Sequence, residues 1–480
     1  MKKTTANYPL AILIAAVSIL FMVSCSNNNN PEPEVVVPPP VDCNCESSWF
    51  PHDQTPAPAE GIGSPFDTSS TTNCIFHQWS MQKFLWVTKP IQNGKALFED
   101  SLILVDNNMI PVPASNGVPL VVDDITQAGS RGILISNPGF SSSGKSDTVY
   151  YSIYINSTLQ KAADSMKNLL LKDTSLRNNQ FTFPVGSLEL KVSWININSL
   201  PAGEVKNYYT SQAVIKSTGK KVTVALLGMH VVGVVINHPE FIWATFEHRS
   251  MAPEYDWKNT SNQDVPVTSN DEKLFFKKGD TATWANLQWN PSVPAKARNV
   301  FSVYPYGVPR IAMDSFMTAS QAEPINYNNI QGLNTCEAAN IKDVWQNYFY
   351  NGSLWINTDG LTPQQQADTI AALGNSLGNA TPGSVARGSV AAYNITMETF
   401  VQVDTTMHNM MVNNLTNCLS CHSGAATIKL ANTTFPASKS PLYVSHIFRS
   451  YLSKSSGVST DKIETLRILE FMQLLKTKKE

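Results

Sequence analysis

Charge is scarce in this chain. Only 15% of its 480 residues are Asp, Glu, Lys or Arg, and the formal net charge is −2. That balance gives no electrostatic case for a nucleic-acid partner or for adhesion to an anionic membrane surface. Long apolar runs are lacking too. Residues 9–22 form the one candidate, and it is too short and wrongly flanked for a dedicated transmembrane helix. No dinucleotide fingerprint suggests other chemistry. Cysteine is sparse, at seven residues. What is present, 42% apolar residues with many Asn, Thr and Ser, fits an exported, β-rich globular protein.

The N-terminus supports export. Lys2 and Lys3 precede the apolar run, which ends in Met22-Val23-Ser24-Cys25, the small-residue-then-Cys pattern of a bacterial lipoprotein signal. Residues 1–24 then read as a signal peptide cleaved before Cys25, which is lipidated. An ordinary secretory signal with an incidental Cys is the alternative. Ser26 carries no acidic retention cue, so a lipid anchor in the periplasmic leaflet of the outer membrane is favoured. Residues 25–42, with Asn27 to Asn30 and Pro38-Pro39-Pro40, cannot bury a core and read as an extended tether.

The most specific motif is Cys418-Leu419-Ser420-Cys421-His422. Two thiols three positions apart can add across the two vinyl groups of one porphyrin edge. The adjacent imidazole is then carried over the macrocycle to ligate its iron. One covalently attached haem c is therefore expected at Cys418, Cys421 and His422. A redox or zinc CxxC is the competing reading, but no second CxxC or HxxxH follows to complete a zinc site. The occupant of the sixth iron position would decide between electron transfer and small-ligand binding. Met472 ranks first, then His446, then the group Met407, His408, Met410 and Met411. Ordinary packing is the alternative for each Met.

Four cysteines remain, Cys43, Cys45, Cys74 and Cys336. Two disulfides are expected, and a bond between Cys43 and Cys45 would close too small a ring. A metal site from Cys43, Cys45, Cys74 and His77 is the alternative, since Cys74-Ile-Phe-His77 has ligand-like spacing.

Residues 43–320 read mostly as strands. Leu188, Leu190, Val192 and Trp194 alternate with polar residues, 147–156 is β-branched and aromatic, and 222–235 is apolar on both faces. One helix is expected near 158–172. After about 321 the pattern turns helical, at 337–350, 362–377, 397–415 and 460–475. The expected fold is α+β and multidomain: a sandwich or jelly-roll-like β-rich domain over 43–320, then a small all-α cytochrome c-like domain over 321–480. If 237–241 around Pro239 is a hairpin turn, His230 and His248 face each other and could form a second metal or redox site. Glu247 would point away from His248. Hydrogen-bonded structural histidines are the plainer reading.

Several stretches carry a resemblance: Cys74-Ile-Phe-His77-Gln-Trp79-Ser, Phe84-Leu85-Trp86, Leu190-Lys191-Val192-Ser193-Trp194, Leu227-Gly228-Met229-His230, Ile242-Trp243-Ala-Thr-Phe-Glu247-His248, Met397-Glu398-Thr399-Phe400 and the CxxCH. In blocks along nearly the whole mature chain they look like a widespread group of bacterial proteins described only as cytochrome c family proteins. Relatives tend to have a second Trp after Trp79-Ser80, where this chain has Met81. The resemblance implies a β-rich N-terminal region plus a C-terminal monohaem segment, and it implies no substrate.

The function expected is single-electron transfer between periplasmic redox partners. The alternatives are an oxidoreductase whose β-rich domain binds a substrate, and a ligand-binding sensor that carries haem.

Overall fold

Strand alternation and a few long helices build the fold around one large sheet. The computed structural model describes residues 43–68, 71–123, 134–178, 180–257, 265–288, 299–308, 310–311, 315–316, 324–357, 360–373, 386–402, 417–426, 429–430, 433–434 and 438–455. The sheet has nine strands: β1 (Ile103–Val105), β2 (Leu120–Val122), β3 (Tyr150–Ile155), β4 (Leu188–Asn196), β5 (Thr210–Ile215), β6 (Lys220–Val235), β7 (His238–His248), β8 (Tyr348–Ile356) and β9 (Ala386–Gly388). Its main order is β1-β3-β4-β6-β7-β8-β9, with β5 beside the first part of β6 and β2 beside β5. All pairs are antiparallel except β2 with β5.

The β-rich α+β expectation holds, while the sandwich does not form among the described residues. Both faces of this sheet are covered by helices, loops and small two-stranded sheets, so its central strands are buried without a second large sheet. That is why β6 is apolar on both sides from Val222 onward. On one face, α1 (Asn73–Thr88) and α3 (Pro324–Asn340) pack Met81, Phe84, Ile330 and Leu333 against Leu190, Val192, Met229 and Phe246. On the other, α2 (Ser157–Lys172), α4 (Pro363–Leu373) and α5 (His446–Ser455) set Leu159, Ile370 and Phe448 against a core with Ile153, Val232 and Leu354.

Helix α2 matches its expected position. Asn156 caps it, accepting from Leu159 N at 3.0 Å, and Lys172 lies in its last turn, where the helix dipole favours a cation. Helix α1 was not expected. It is buried around most of its circumference, so no amphipathic stripe marks it.

The region after 321 departs further. Residues 337–350 do not form a helix: α3 ends at Asn340, and Tyr348 begins β8, which pairs with β7 and β9. Residues beyond 320 thus supply two strands of the main sheet, and by their contacts Asp42–Glu480 form one unit. An all-α domain is not present among the described residues. The helix expected at 397–415 is a short 3-10 turn, Thr399–Val401, as far as it is described. The helix expected at 460–475 lies outside the described residues, as do Cys25, Met407, His408, Met410, Met411 and Met472.

The four cysteines Cys43, Cys45, Cys74 and Cys336 form two disulfides, Cys43–Cys74 and Cys45–Cys336, with Cα separations of 5.5 and 5.9 Å. They tie the start of the described chain to α1 and α3. The alternative metal site at these cysteines is therefore excluded, and His77 sits elsewhere in a buried network. Its Nδ1 meets Tyr350 Oη at 2.7 Å and its Nε2 meets Asn326 Oδ1 at 3.1 Å.

Candidate functional site

The CxxCH segment is laid on the α5 face of the sheet. Cys418–Cys421 forms one helical turn, begun by Asn417, whose Oδ1 accepts from Leu419 N at 2.9 Å. Leu419 is fully buried and fixes the turn to the core. His422 N then donates to Cys418 O at 2.8 Å, so the imidazole leaves the turn beside both thiols.

His422 is held through one nitrogen. Its Nδ1 lies 2.8 Å from Val444 O, and because a carbonyl can only accept, Nδ1 carries the proton. The lone pair is left on Nε2, the nitrogen suited to a metal. Burial, with Arg449, Lys191 and His230 adding to it against the Val444 carbonyl, lowers the His422 pKa to about 3. The ring is therefore neutral at ordinary pH, as a metal ligand must be. The Trp243 ring lies 4.3 Å from the His422 ring, and the His446 ring stacks on it at 3.8 Å and 17°.

Cys418 and Cys421 lie outside any disulfide. Burial pushes the Cys418 thiol well above its ordinary value, with the Glu398 carboxylate and Cys421 adding to the shift. A thiol held protonated by burial is poorly disposed to act as a nucleophile. Among the described residues, no group of three or more His, Cys, Asp and Glu is arranged to hold a metal ion. The donor set does fit a covalently attached haem: two thiols on one helical turn and an adjacent neutral imidazole with its lone pair on Nε2.

His446 lies against His422. Its Nε2 donates to Cys421 O at 2.8 Å, and Arg449 Nη2 donates to the same carbonyl at 3.3 Å. These two bonds tie His446 and Arg449 to the CxxCH turn.

His230 and His248 do not face each other. The hairpin turn is Ile236-Asn237, with Val235 opposite His238, and Asn237 takes the left-handed φ of 64° that a two-residue turn requires. His230 consequently faces Thr245, and His248 lies three residues further along β7, on the other face. The proposed pairing is overturned by this register. His248 is fully engaged, donating from Nε2 to Asn207 O at 3.1 Å and meeting Ser250 Oγ through Nδ1 at 2.8 Å. Burial lowers its pKa to about 3.

His230 has a different partner, Glu398, whose Oε1 and Oε2 lie 2.9 and 3.0 Å from Nε2. A turn at 394–398, docked onto the sheet, positions that carboxylate. Asn394 Nδ2 donates to Thr245 Oγ1 at 3.0 Å and to Phe246 O at 2.9 Å, and Ile395 N donates to Glu247 Oε2 at 3.0 Å. Ser193 and Tyr151 fasten Thr396, at 2.6 and 2.7 Å. The turn can approach this closely because Gly228 lies beneath it: a Cβ there would come within 2.7 Å of Asn394 Nδ2. Glu247 shares the His230 face, and burial raises its pKa to about 8. Sequence reading missed the His230–Glu398 pair because its members are 168 residues apart.

One further sequence pattern lacks its structure. Residues 139–146 spell GxxxxGKS, the phosphate-loop spacing, but a strand follows at Tyr150–Ile155 where that motif needs a helix N-terminus. The chain matches no family model, no curated protein and no solved structure.

Proposed function

We propose that the chain is an exported monohaem c-type cytochrome that passes single electrons between periplasmic redox partners. Cys418 and Cys421 would hold haem c through two thioether bonds, and His422 would ligate its iron through Nε2. When bound, the group supplies a reversible one-electron iron couple. The observation that carries the reading is the Val444 carbonyl on His422 Nδ1, which fixes the tautomer and aims Nε2. Trp243, Val444 and His446 keep the ring from turning, and Leu419 keeps the thiols seated. The export signal and Cys25 support a lipid anchor in the outer membrane facing the periplasm, the compartment where haem attachment and the two disulfides are compatible. Purified protein from a host with haem-attachment machinery should keep its haem after denaturation, and loss of the colour on denaturation would refute covalent attachment.

A second reading is an oxidoreductase with substrate chemistry beside the haem. The observation favouring it is the His230–Glu398 pair, whose side chains are 16% and 20% exposed and so remain reachable from solvent. Carbon monoxide or peroxide changing the absorption spectrum would favour this reading, and an indifferent spectrum would favour plain electron transfer.

A further inference from the structure

We propose, resting on the haem reading above, that the His230–Glu398 pair is a proton-uptake site coupled to reduction of the haem. The geometry places the pair on the haem side of the sheet. His422 packs against Trp243, Trp243 faces Val232 on β6, and His230 is two residues from Val232 on the same face. A diagonal neighbour of this kind lies about 7–8 Å away along the sheet. The pair is also built rather than incidental, since the 394–398 turn is fastened to three strands and sets both Glu398 oxygens on one imidazole nitrogen.

An added electron makes this half-buried region more negative by one charge, and a nearby protonatable pair offsets that charge most directly. The balance is one for one. With haem bound, each electron accepted from a partner protein would be matched by one proton from solvent forming a new N–H or O–H bond in the pair, and passing the electron to an acceptor would return that proton to water. The other titratable or charged groups on this face, among the described residues, include Glu189 and Lys191 on β4, Tyr151 on β3, Glu247 on β7 with Glu254 near it, Cys418, Cys421 and His422 of the attachment segment, and His446 and Arg449 on α5. Lys191 Nζ lies over the Tyr151 ring at 5.1 Å. His230 with Glu398 is the pair of these that combines an imidazole and a carboxylate at hydrogen-bond distance.

The test is the reduction potential of the haem-loaded protein from about pH 5 to pH 8, the range in which an imidazole changes charge. Wild type should fall by about 59 mV per pH unit over part of that range, the value for one proton per electron. His230→Gln and Glu398→Gln should each flatten the line, and Glu247→Gln should leave it sloping. A flat wild-type line would overturn the proposal even if a variant fails to fold. So would a slope that survives both pair substitutions, or one that only Glu247→Gln removes. Protein without covalent haem overturns the underlying haem reading, whereas haem-loaded protein with a flat line overturns only the proton coupling.

Discussion

The two faces of the sheet are built differently. On the α1 and α3 face, apolar side chains and aromatic rings fill the core, both disulfides lie on that side, and the buried His77 is bound on both nitrogens. On the α5 face, the same strands carry Lys191, His230 and Glu247, and the attachment turn sits above them. Buried polar groups cost stability unless they are paired. Both faces carry some, His77, Glu337 and His248 on the first and Glu247 on the second, and those of the second lie on the side of the CxxCH turn. The comparison assigns holding to the first face and function to the second.

Substitutions on the two faces should separate stability from haem chemistry. The largest effect belongs to the attachment turn: Cys418→Ala with Cys421→Ala should abolish covalent haem, scored by haem staining of the denatured chain. Removing a disulfide should do the reverse. Cys45→Ser with Cys336→Ser should cost about 2–5 kcal/mol in a denaturant titration, with the haem spectrum unchanged. Gly228→Ala joins the two faces' logic, since its methyl would strike Asn394 and push the 394–398 turn off the sheet. A loss of about 1–3 kcal/mol is expected for such overpacking, together with a shifted haem potential. A smaller effect is expected at His446→Phe, about 1 kcal/mol for one lost hydrogen bond. The iron's spin state should stay as in wild type, and a change of spin state would instead make His446 the sixth ligand.

A different kind of effect is a slope with pH. Glu247 in the folded chain has its pKa raised by burial to about 8 from an ordinary 4.5. Below pH 4.5 both folded and unfolded chains are protonated there, so nothing is lost. As pH rises from 4.5 toward 8 the unfolded chain ionises first and stability falls. Urea titrations of wild type and Glu247→Gln at pH 5 and pH 8 should differ in this slope, with the variant flatter.

Local signals in the sequence carried the local parts of this structure. The CxxCH spacing, the alternation in β4 and the amphipathic stripe of α2 each depend on neighbours along the chain. What depended on distant neighbours was not legible. Pro239 suggested the hairpin turn, but Asn237 could take the positive φ, and the shifted turn moved His248 to the opposite face. The start of the strand Tyr348–Ile356 fell inside the helix expected at 337–350, because both faces of the strand are buried, which erases the period of two. Glu398 was assigned to a helix start, whereas the close approach permitted by Gly228 draws it onto the sheet beside His230.

The central claim is that Cys418 and Cys421 bind one haem covalently and His422 ligates it. The most direct measurement is the reduced spectrum of the denatured chain in alkaline pyridine, taken for wild type, for Cys418→Ala with Cys421→Ala, and beside the native spectrum of His422→Ala. One chain-bound haem per wild-type chain is expected, with none in the double variant and a changed native spectrum without His422. A colourless wild-type chain, or haem that washes away on denaturation, would contradict the claim.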